Sequence, residues 1–285
     1  MNIRKLLPAL AVATAGTAQV ASAGSILYNF DDGLVPAGAS VHGVSSVTGT
    51  GGVGDSGVMR INDALNSQQG GFHISEFDGG VPALGFDVSF NARIGDSTCC
   101  TAGAAIRPAD GFSLSYGAGI VGAPVGEEGV VGELVFSFDT WDNNAGVELG
   151  GATPGIDVHY GGALIATQSM AEPTEGGRAT STPLITDPAT GSDMTLYTGD
   201  EFVNVSITMD GGMIDLSYKD VLIFDDLVLP GYTPVAGNWL FGGRTGGANS
   251  AHHIDNLSIS TTIPEPSGIA LLGLGLTGLI LRRRR

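Results

Sequence analysis

The sequence predicts an all-β protein of the sandwich or jelly-roll class. Apolar and polar residues alternate with a period of two, which is typical of half-buried strands. The alternating segments are residues 86–94, 112–116, 134–139, 203–209 and 214–218. Asp-Gly turn signals, such as Asp210–Gly211, lie between them. The part of the chain between its two termini lacks the 3.6-residue apolar repeat of an amphipathic helix, so short strands joined by turns are expected throughout.

Composition and charge limit the classes of partner. At 285 residues the chain has the length of one large β-sandwich, and its 46 glycines with only 14% charged residues suit short strands and tight turns. The formal net charge is −17, and the chain has no basic patch, so we do not expect nucleic acid as a partner. A strongly acidic protein repels anionic surfaces, and we expect divalent cations and neutral ligands instead.

The N-terminus has the three parts of a secretory signal peptide. Arg4 and Lys5 are followed by an apolar stretch, and the small residues 21–23 (Ala-Ser-Ala) form a cleavage site. We therefore predict a signal peptide over residues 1–23 and an exported protein. An N-terminal helix of the fold is the alternative interpretation.

The C-terminus combines a short motif with an apolar run. Pro264, Glu265 and Pro266 precede the apolar residues 267–281, and four arginines end the chain at 282–285. Fifteen residues span about 22 Å as a helix, which is less than the ~30 Å hydrocarbon core of a bilayer. The pattern predicts a short apolar helix that anchors marginally in a membrane, with its arginines on the cytoplasmic side.

This order of motif, apolar span and arginine cluster resembles the PEP-CTERM sorting tail of Gram-negative bacteria. The resemblance covers residues 263–285. It implies transient retention in the inner membrane, cleavage by an exosortase near Pro264–Pro266, and delivery to the cell surface or the extracellular polysaccharide. Residues 24–262 then form the mature domain.

Four segments of that domain resemble, in this order, the L-type lectins, which include the legume lectins and animal cargo lectins. The segments are Ala109-Asp110-Gly111-Phe112, Phe138-Asp139-Thr140-Trp141-Asp142-Asn143, Gly155-Ile156-Asp157 and Thr245-Gly246-Gly247-Ala248. The resemblance implies a concanavalin A-like jelly-roll sandwich. It also implies a non-catalytic protein that binds a polysaccharide or glycan with the help of calcium.

The resemblance implies a sugar-binding role for five residues. Asp110 matches the carboxylate that accepts hydrogen bonds from sugar hydroxyls. Gly246, Gly247 and Ala248 match the loop whose backbone N–H groups complete the sugar site. Asn143 matches an amide that touches both sugar and calcium.

The resemblance also implies a calcium site. Its ligands are the carboxylate of Asp139, the main-chain oxygen of Trp141 and the side chain of Asn143. Glu148 has a suitable spacing for a further carboxylate ligand, and Asp142 is nearby. Calcium takes 6–8 oxygen ligands, and this set supplies oxygen atoms only.

Legume lectins have a Glu and a His for a transition metal where this chain has Ser137 and Thr153. We therefore expect calcium without manganese.

Three alternatives stay open on the sequence. Asp110 and Asp139 could lie in ordinary polar turns. A glycoside hydrolase of the same fold would need paired carboxylates, but Ser137 stands where one is expected, and Asp142 would face the other side of a strand from Asp139. A structural matrix protein that has lost sugar binding would have the fold without calcium dependence.

The adjacent Cys99 and Cys100 either form a vicinal disulfide or remain thiols.

Overall fold

The computed structural model describes residues 20–97, 108–141, 151, 153–171 and 182–264. Within these residues the chain forms fifteen strands and no α-helix, with one 3₁₀ turn at Val53–Asp55. The all-β prediction is confirmed.

The strands form two sheets, here named sheet A and sheet B, whose described pairings are antiparallel. Sheet A contains, in spatial order, β13 (Val221–Val228), β12 (Met213–Tyr218), β11 (Val203–Asp210), β6 (Gly85–Gly95), β15 (Ala251–Pro264), β4 (Val58–Asn62) and β3 (Ser46–Thr48), and β1 (Val20–Tyr28) also pairs with β15. Sheet B contains β10 (Ala163–Ser169), β9 (Gly155–Tyr160), β8 (Leu134–Asp139), β7 (Gly111–Gly117), β14 (Asn238–Arg244), β5 (Gln69–Ile74) and β2 (Ala39–Gly43).

Aromatic side chains fill the space between the two sheets. Phe86 of sheet A meets Trp239 of sheet B edge-on, with ring centroids 4.8 Å apart. Phe90 meets Phe241 in the same way at 5.2 Å. Phe86 and Phe90 belong to the alternating segment at residues 86–94, whose apolar residues share one face because side chains two apart on a strand point to the same side. The core therefore lies where the period-two pattern predicts it.

A long loop crosses the face of sheet B that points away from the core. This loop, residues 118–133, is named the covering loop. The Ser113 hydroxyl on β7 donates a hydrogen bond to the carbonyl of Gly126 at 2.8 Å, and the Val130 N–H donates to the Ser115 hydroxyl at 3.0 Å. As a result, every residue of β7 is buried on both faces of the sheet.

Glycines in the sheet make room for this loop. A Cβ placed on Gly71 would lie 2.1 Å from the carbonyl oxygen of Ala123, and one on Gly242 would lie 2.1 Å from a methyl carbon of Val125. Real Cβ atoms do not approach other atoms so closely. The covering loop can therefore lie directly on the backbone of β5 and β14 only because these positions lack side chains.

The chain ends are described only in part. Strand β1 begins at Val20, so the last four residues of the predicted signal peptide lie in a strand, and the cleavage site stays a prediction. Residues 22–263 form one compact unit. Cys99, Cys100 and the predicted apolar helix lie outside the described residues, as do Glu265 and Pro266 of the sorting motif. In the part of the chain that the structure describes, no helix is long and apolar enough to cross a membrane.

Candidate functional site

The structure brings the four lectin-like segments together at one end of sheet B. Gly111 at the start of β7 pairs with Asp139 at the end of β8, and Asp139 pairs in turn with Gly155 at the start of β9. On the other side, Gly111 pairs with Arg244, the last residue of β14. Segments that are far apart in sequence thus meet because the strand order in sheet B is β9-β8-β7-β14.

Asp110 is held at this end of sheet B by two backbone hydrogen bonds. Its N–H donates to the Arg244 carbonyl at 2.8 Å, and its carbonyl accepts from the Thr140 N–H at 2.9 Å. The Ala109–Asp110 peptide bond is cis. The Asp110 side chain points into the protein and the residue is 3% exposed. Burial raises the pKa of its carboxyl, and the nearby Arg244 guanidinium offsets part of that rise.

The predicted sugar loop is tied to the segment that precedes β5. The Thr245 hydroxyl donates to the Leu65 carbonyl at 2.6 Å and accepts from the Gln68 N–H at 2.9 Å. The carbonyl of Gly246 accepts from the Ser67 N–H at 3.0 Å. These bonds fix the loop against its neighbour, so its backbone groups have defined positions.

Within this loop the three predicted residues have different roles. The N–H of Gly246 is directed at the Asp110 carboxylate and lies 3.1 Å from the Ala248 carbonyl. Ala248 is buried. Gly247 is exposed, and a Cβ there would meet nothing within 4 Å. Gly247 is therefore the part of the loop that a ligand can reach from solvent.

Two buried carboxylates lie on neighbouring strands at the same end. Asp139 and Asp157 are each 3% exposed. Asp139 accepts hydrogen bonds from the Trp141 N–H at 2.9 Å and from the Thr153 hydroxyl at 3.3 Å. Asp157 pairs with Ser137, two residues before Asp139 on β8.

Both carboxylates are on the face of sheet B that points away from the core. Phe136, Phe138, Ile156 and Val158 occupy the core, so the intervening residues point to the other side. No role was predicted for Asp157 from the sequence. The alternation of Ile156 and Val158 could have indicated its face, but its neighbour across the sheet depends on strand pairing.

Two of the predicted calcium ligands, Asn143 and Glu148, lie outside the described residues, as does Asp142. Trp141 lies two residues after the end of β8, and its backbone N–H donates to the Asp139 carboxylate. The roles that the lectin resemblance assigns to these residues stay predictions.

An ion-pair network beside Asp110 was not predicted from the sequence. The Arg244 Nε lies 3.0 Å from Oδ2 of Asp110, and its Nη2 contacts the Glu127 carboxylate. Glu127 belongs to the covering loop and is fully buried. Burial raises the pKa of Glu127 to about 7, although the Arg244 charge acts in the opposite direction. One sequence signal was present, because Arg244 is one of only 12 basic residues and directly precedes the predicted sugar loop.

Among the described residues, three further carboxylates converge on sheet A. Asp215, Asp225 and Asp226 place ligand atoms within 4.8 Å of one another. Asp225 and Asp226 are exposed. Solvent screens exposed acidic groups, so their convergence needs no bound cation.

Comparison with sequence families identifies the C-terminus. Residues 262–285 match the model described as the PEP-CTERM protein-sorting motif. The predicted sorting tail is confirmed, and it marks the chain for export and sorting at a membrane. A comparison with curated proteins found no match.

Comparison with solved structures identifies the fold. The exoplasmic/lumenal domain of VIP36, in a form with Ca²⁺ and Man3GlcNAc bound, superposes with a TM-score of 0.53 at 12% identity, over 81% of this chain and 90% of that one. The Emp47p carbohydrate recognition domain gives 0.52 at 10% identity, over 87% and 99%. Peanut lectin, with a 9mer peptide, gives 0.51 at 15% identity, over 84% and 97%. The predicted concanavalin A-like jelly roll is confirmed.

Proposed function

We propose that the chain is an exported, non-catalytic protein that binds carbohydrate with the assistance of calcium at the surface or in the exopolysaccharide matrix of a Gram-negative bacterium. One observation carries this proposal. Asp110, the anchored loop at Thr245–Ala248 and the buried carboxylates of Asp139 and Asp157 meet at one end of sheet B.

The donor atoms at the end of β8 suit a hard cation. The Asp139 and Asp157 carboxylates, the Trp141 carbonyl and the hydroxyls of Ser137 and Thr153 supply oxygen, which calcium prefers. Two buried carboxylates on adjacent strands repel each other, and a nearby positive charge lowers that cost. Bound calcium would offset this charge and hold the segment that follows β8, where Asn143 and Glu148 are the predicted additional ligands.

A sugar would bind beside this cation site. The exposed backbone at Gly247 and the predicted amide of Asn143 offer hydrogen bonds to hydroxyls. The Asp110 carboxylate, as a buried acceptor next to Gly246, holds the loop and is the predicted acceptor for a sugar hydroxyl. Concave sites that combine a few fixed polar groups are typical of ligand binding.

Asp139 acts as a hydrogen-bond acceptor for two neighbouring groups. On the same strand, Ser137 offers a hydroxyl where a glycoside hydrolase of this fold would have its second carboxylate. This arrangement supports binding without hydrolysis.

The sorting motif supports the proposed location. An exosortase is the expected partner of residues 262–285, and the inner membrane is a transient one. We propose no nucleic-acid partner, because the chain carries a net charge of −17.

Calcium titration tests the cation site. Calorimetry and thermal unfolding of chelator-treated protein should show calcium binding and a raised Tm, since a ligand that binds the folded state stabilises it. Asp139→Asn combined with Asp157→Asn should abolish both effects. The matched control, Asp215→Asn combined with Asp226→Asn, removes two carboxylates of the cluster on sheet A and should leave them unchanged. The reverse result would place the calcium at that cluster and contradict the proposal.

A glycan-array screen then tests carbohydrate binding. Wild-type protein should bind at least one glycan class with calcium present and lose binding with chelator. If calcium binds but no glycan does, the structural matrix protein becomes the better account.

A further inference from the structure

We propose that Arg244 contacts the bound glycan and selects sugars that carry a carboxylate, the uronic acids. The inference rests on the proposed function, because it assumes that the end of sheet B beside Asp110 receives a glycan. It adds the chemical class of that glycan.

Arg244 is more exposed to a ligand than the Asp110 carboxylate beside it. Asp110 is 3% exposed, whereas the Arg244 side chain is 30% exposed. Nε of Arg244 lies 3.0 Å from Oδ2 of Asp110. The Arg244 side chain is therefore more accessible to solvent than the Asp110 carboxylate with which it pairs, and an approaching sugar meets Arg244 first.

The Arg244 side chain is held in place by the covering loop and by two carboxylates. The aliphatic part of Arg244 passes Gly126 of the covering loop, where a Cβ would lie 3.6 Å from the Cβ and Nε of Arg244. Its guanidinium is fixed at one edge by Asp110 and at another by the fully buried Glu127. A side chain already ordered in this way loses little conformational entropy when a ligand binds.

The two carboxylates do not use all the hydrogen-bond donors of the Arg244 guanidinium. A guanidinium has five N–H donors in a rigid plane. Among the described residues, its polar side-chain partners are Asp110 at Nε and Glu127 at Nη2. Nη1 forms no side-chain hydrogen bond or ion pair with a described residue, so its N–H groups are left for a ligand. Their planar arrangement matches a carboxylate and forms two parallel hydrogen bonds with it, a geometry that a sugar hydroxyl cannot reproduce.

The net charge of −17 acts against an anionic ligand, but mainly at long range. Salt screens exposed charges beyond about 8 Å at physiological ionic strength. A direct contact with a fixed guanidinium is screened much less. The Asp110 and Glu127 carboxylates that contact the same guanidinium also oppose an anionic ligand. Burial raises the pKa of both, that of Glu127 to about 7, which reduces this opposition near neutral pH.

The test compares ligands that differ only in charge. Methyl glycosides of glucuronic, galacturonic and mannuronic acid are titrated against their methyl esters by NMR, with calcium present. Single sugar units avoid the strong calcium binding of polyuronates. Wild-type protein should bind at least one acid roughly tenfold more tightly than its ester, and added salt should reduce the preference.

Two variants locate the effect. Arg244→Gln should reduce the acid-to-ester preference to about one and leave calcium binding intact. Arg60→Gln is the matched control, since the Arg60 side chain is 33% exposed but lies on β4 of the other sheet. It should keep the wild-type preference. Because Arg244→Gln removes the ion pair with the buried Glu127 carboxylate, the double variant Arg244→Gln/Glu127→Gln repeats the test without that buried charge.

Failure of this inference differs from failure of the proposed function. If wild-type protein binds acid and ester equally, or if either Arg244 variant keeps the preference, selection by Arg244 is overturned and sugar binding stands. If it binds neither these sugars nor any glycan on the array while calcium is bound, both are overturned.

Discussion

The Ser250 hydroxyl lies 2.9 Å from Nε2 of His252 and accepts the N–H of Ala109 at 3.3 Å. Nδ1 of His252 lies 2.8 Å from the amide oxygen of Asn62. Because that oxygen can only accept, Nδ1 carries the imidazole proton, and Nε2 accepts the hydroxyl proton of Ser250. A chain of buried hydrogen bonds therefore reaches from β4 to Ala109 and holds the residue that precedes Asp110.

Replacing Ser250 should weaken both the fold and the site. Ser250→Ala leaves the Ala109 N–H and Nε2 of His252 without their partner, which costs about 1–3 kcal/mol of stability. Glycan affinity should fall too, because Asp110 loses its support. Urea unfolding measures the first effect and glycan titration the second. Ser217→Ala on the outward face of sheet A is the control, and its stability should change by less than about 0.5 kcal/mol.

His252 should make the protein sensitive to acid. Burial lowers its pKa from 6.5 to about 3, so the folded protein binds the proton more weakly than the unfolded chain. The contribution of neutral His252 to the free energy of unfolding is fully present above pH 6.5, and it decreases as the pH falls towards 3. By linkage the loss at pH 4 is on the order of 3 kcal/mol.

The measurement is unfolding at pH 7 and pH 4 for wild type, His252→Asn and the control His42→Gln. The stability difference between the two pH values should shrink in His252→Asn and persist in His42→Gln. Equal acid sensitivity in all three proteins would contradict the assignment of a neutral, buried His252.

Glu127 should have the opposite pH dependence. Burial raises its pKa to about 7, so its contribution to stability is complete below pH 4.5 and is lost as the pH rises through 7. Glu127→Gln resembles the protonated acid, and its stability relative to wild type should therefore be greater at pH 8 than at pH 5, by about 2 kcal/mol. Unfolding in chelator at both pH values measures this. If the relative stability of Glu127→Gln falls instead, attraction to Arg244 outweighs desolvation.

The covering loop can be tested by adding one methyl group. Gly71→Ala places a Cβ against the Ala123 carbonyl, and the backbone must shift, so we expect a loss of about 1–3 kcal/mol. Gly247→Ala adds the same methyl group in open space and should change stability by less than about 0.5 kcal/mol. Thermal unfolding distinguishes the two variants. Equal stability would mean that the covering loop does not rest on β5.

The strands that alternate most regularly were predicted well. Phe86, Val88 and Phe90 lie in the core from β6, as their spacing requires. The covering loop was not predicted, because its packing depends on contacts with Gly71 and Gly242, which are distant in sequence. The sequence alone does not show whether a glycine is needed for a turn or for close packing against a loop that crosses the sheet.

The candidate site shows the same division. Asp110, Asp139 and the loop at Gly246–Ala248 could be recognised from local motifs. Arg244 and Glu127 could not, since their importance arises from an ion pair between residues 117 positions apart.

The sequence by itself determined the all-β class, the sorting tail and the motifs from which a lectin-like site could be expected. These features depend on local periodicity and short motifs, which are present in the sequence whether or not the chain is folded. Only the tertiary structure decided that Asp157 lies on the face of Asp139, that Arg244 pairs with Asp110 and that Glu127 is buried beside Arg244. Such relationships depend on strand order and on which groups lose their water, and both are set when distant segments pack together.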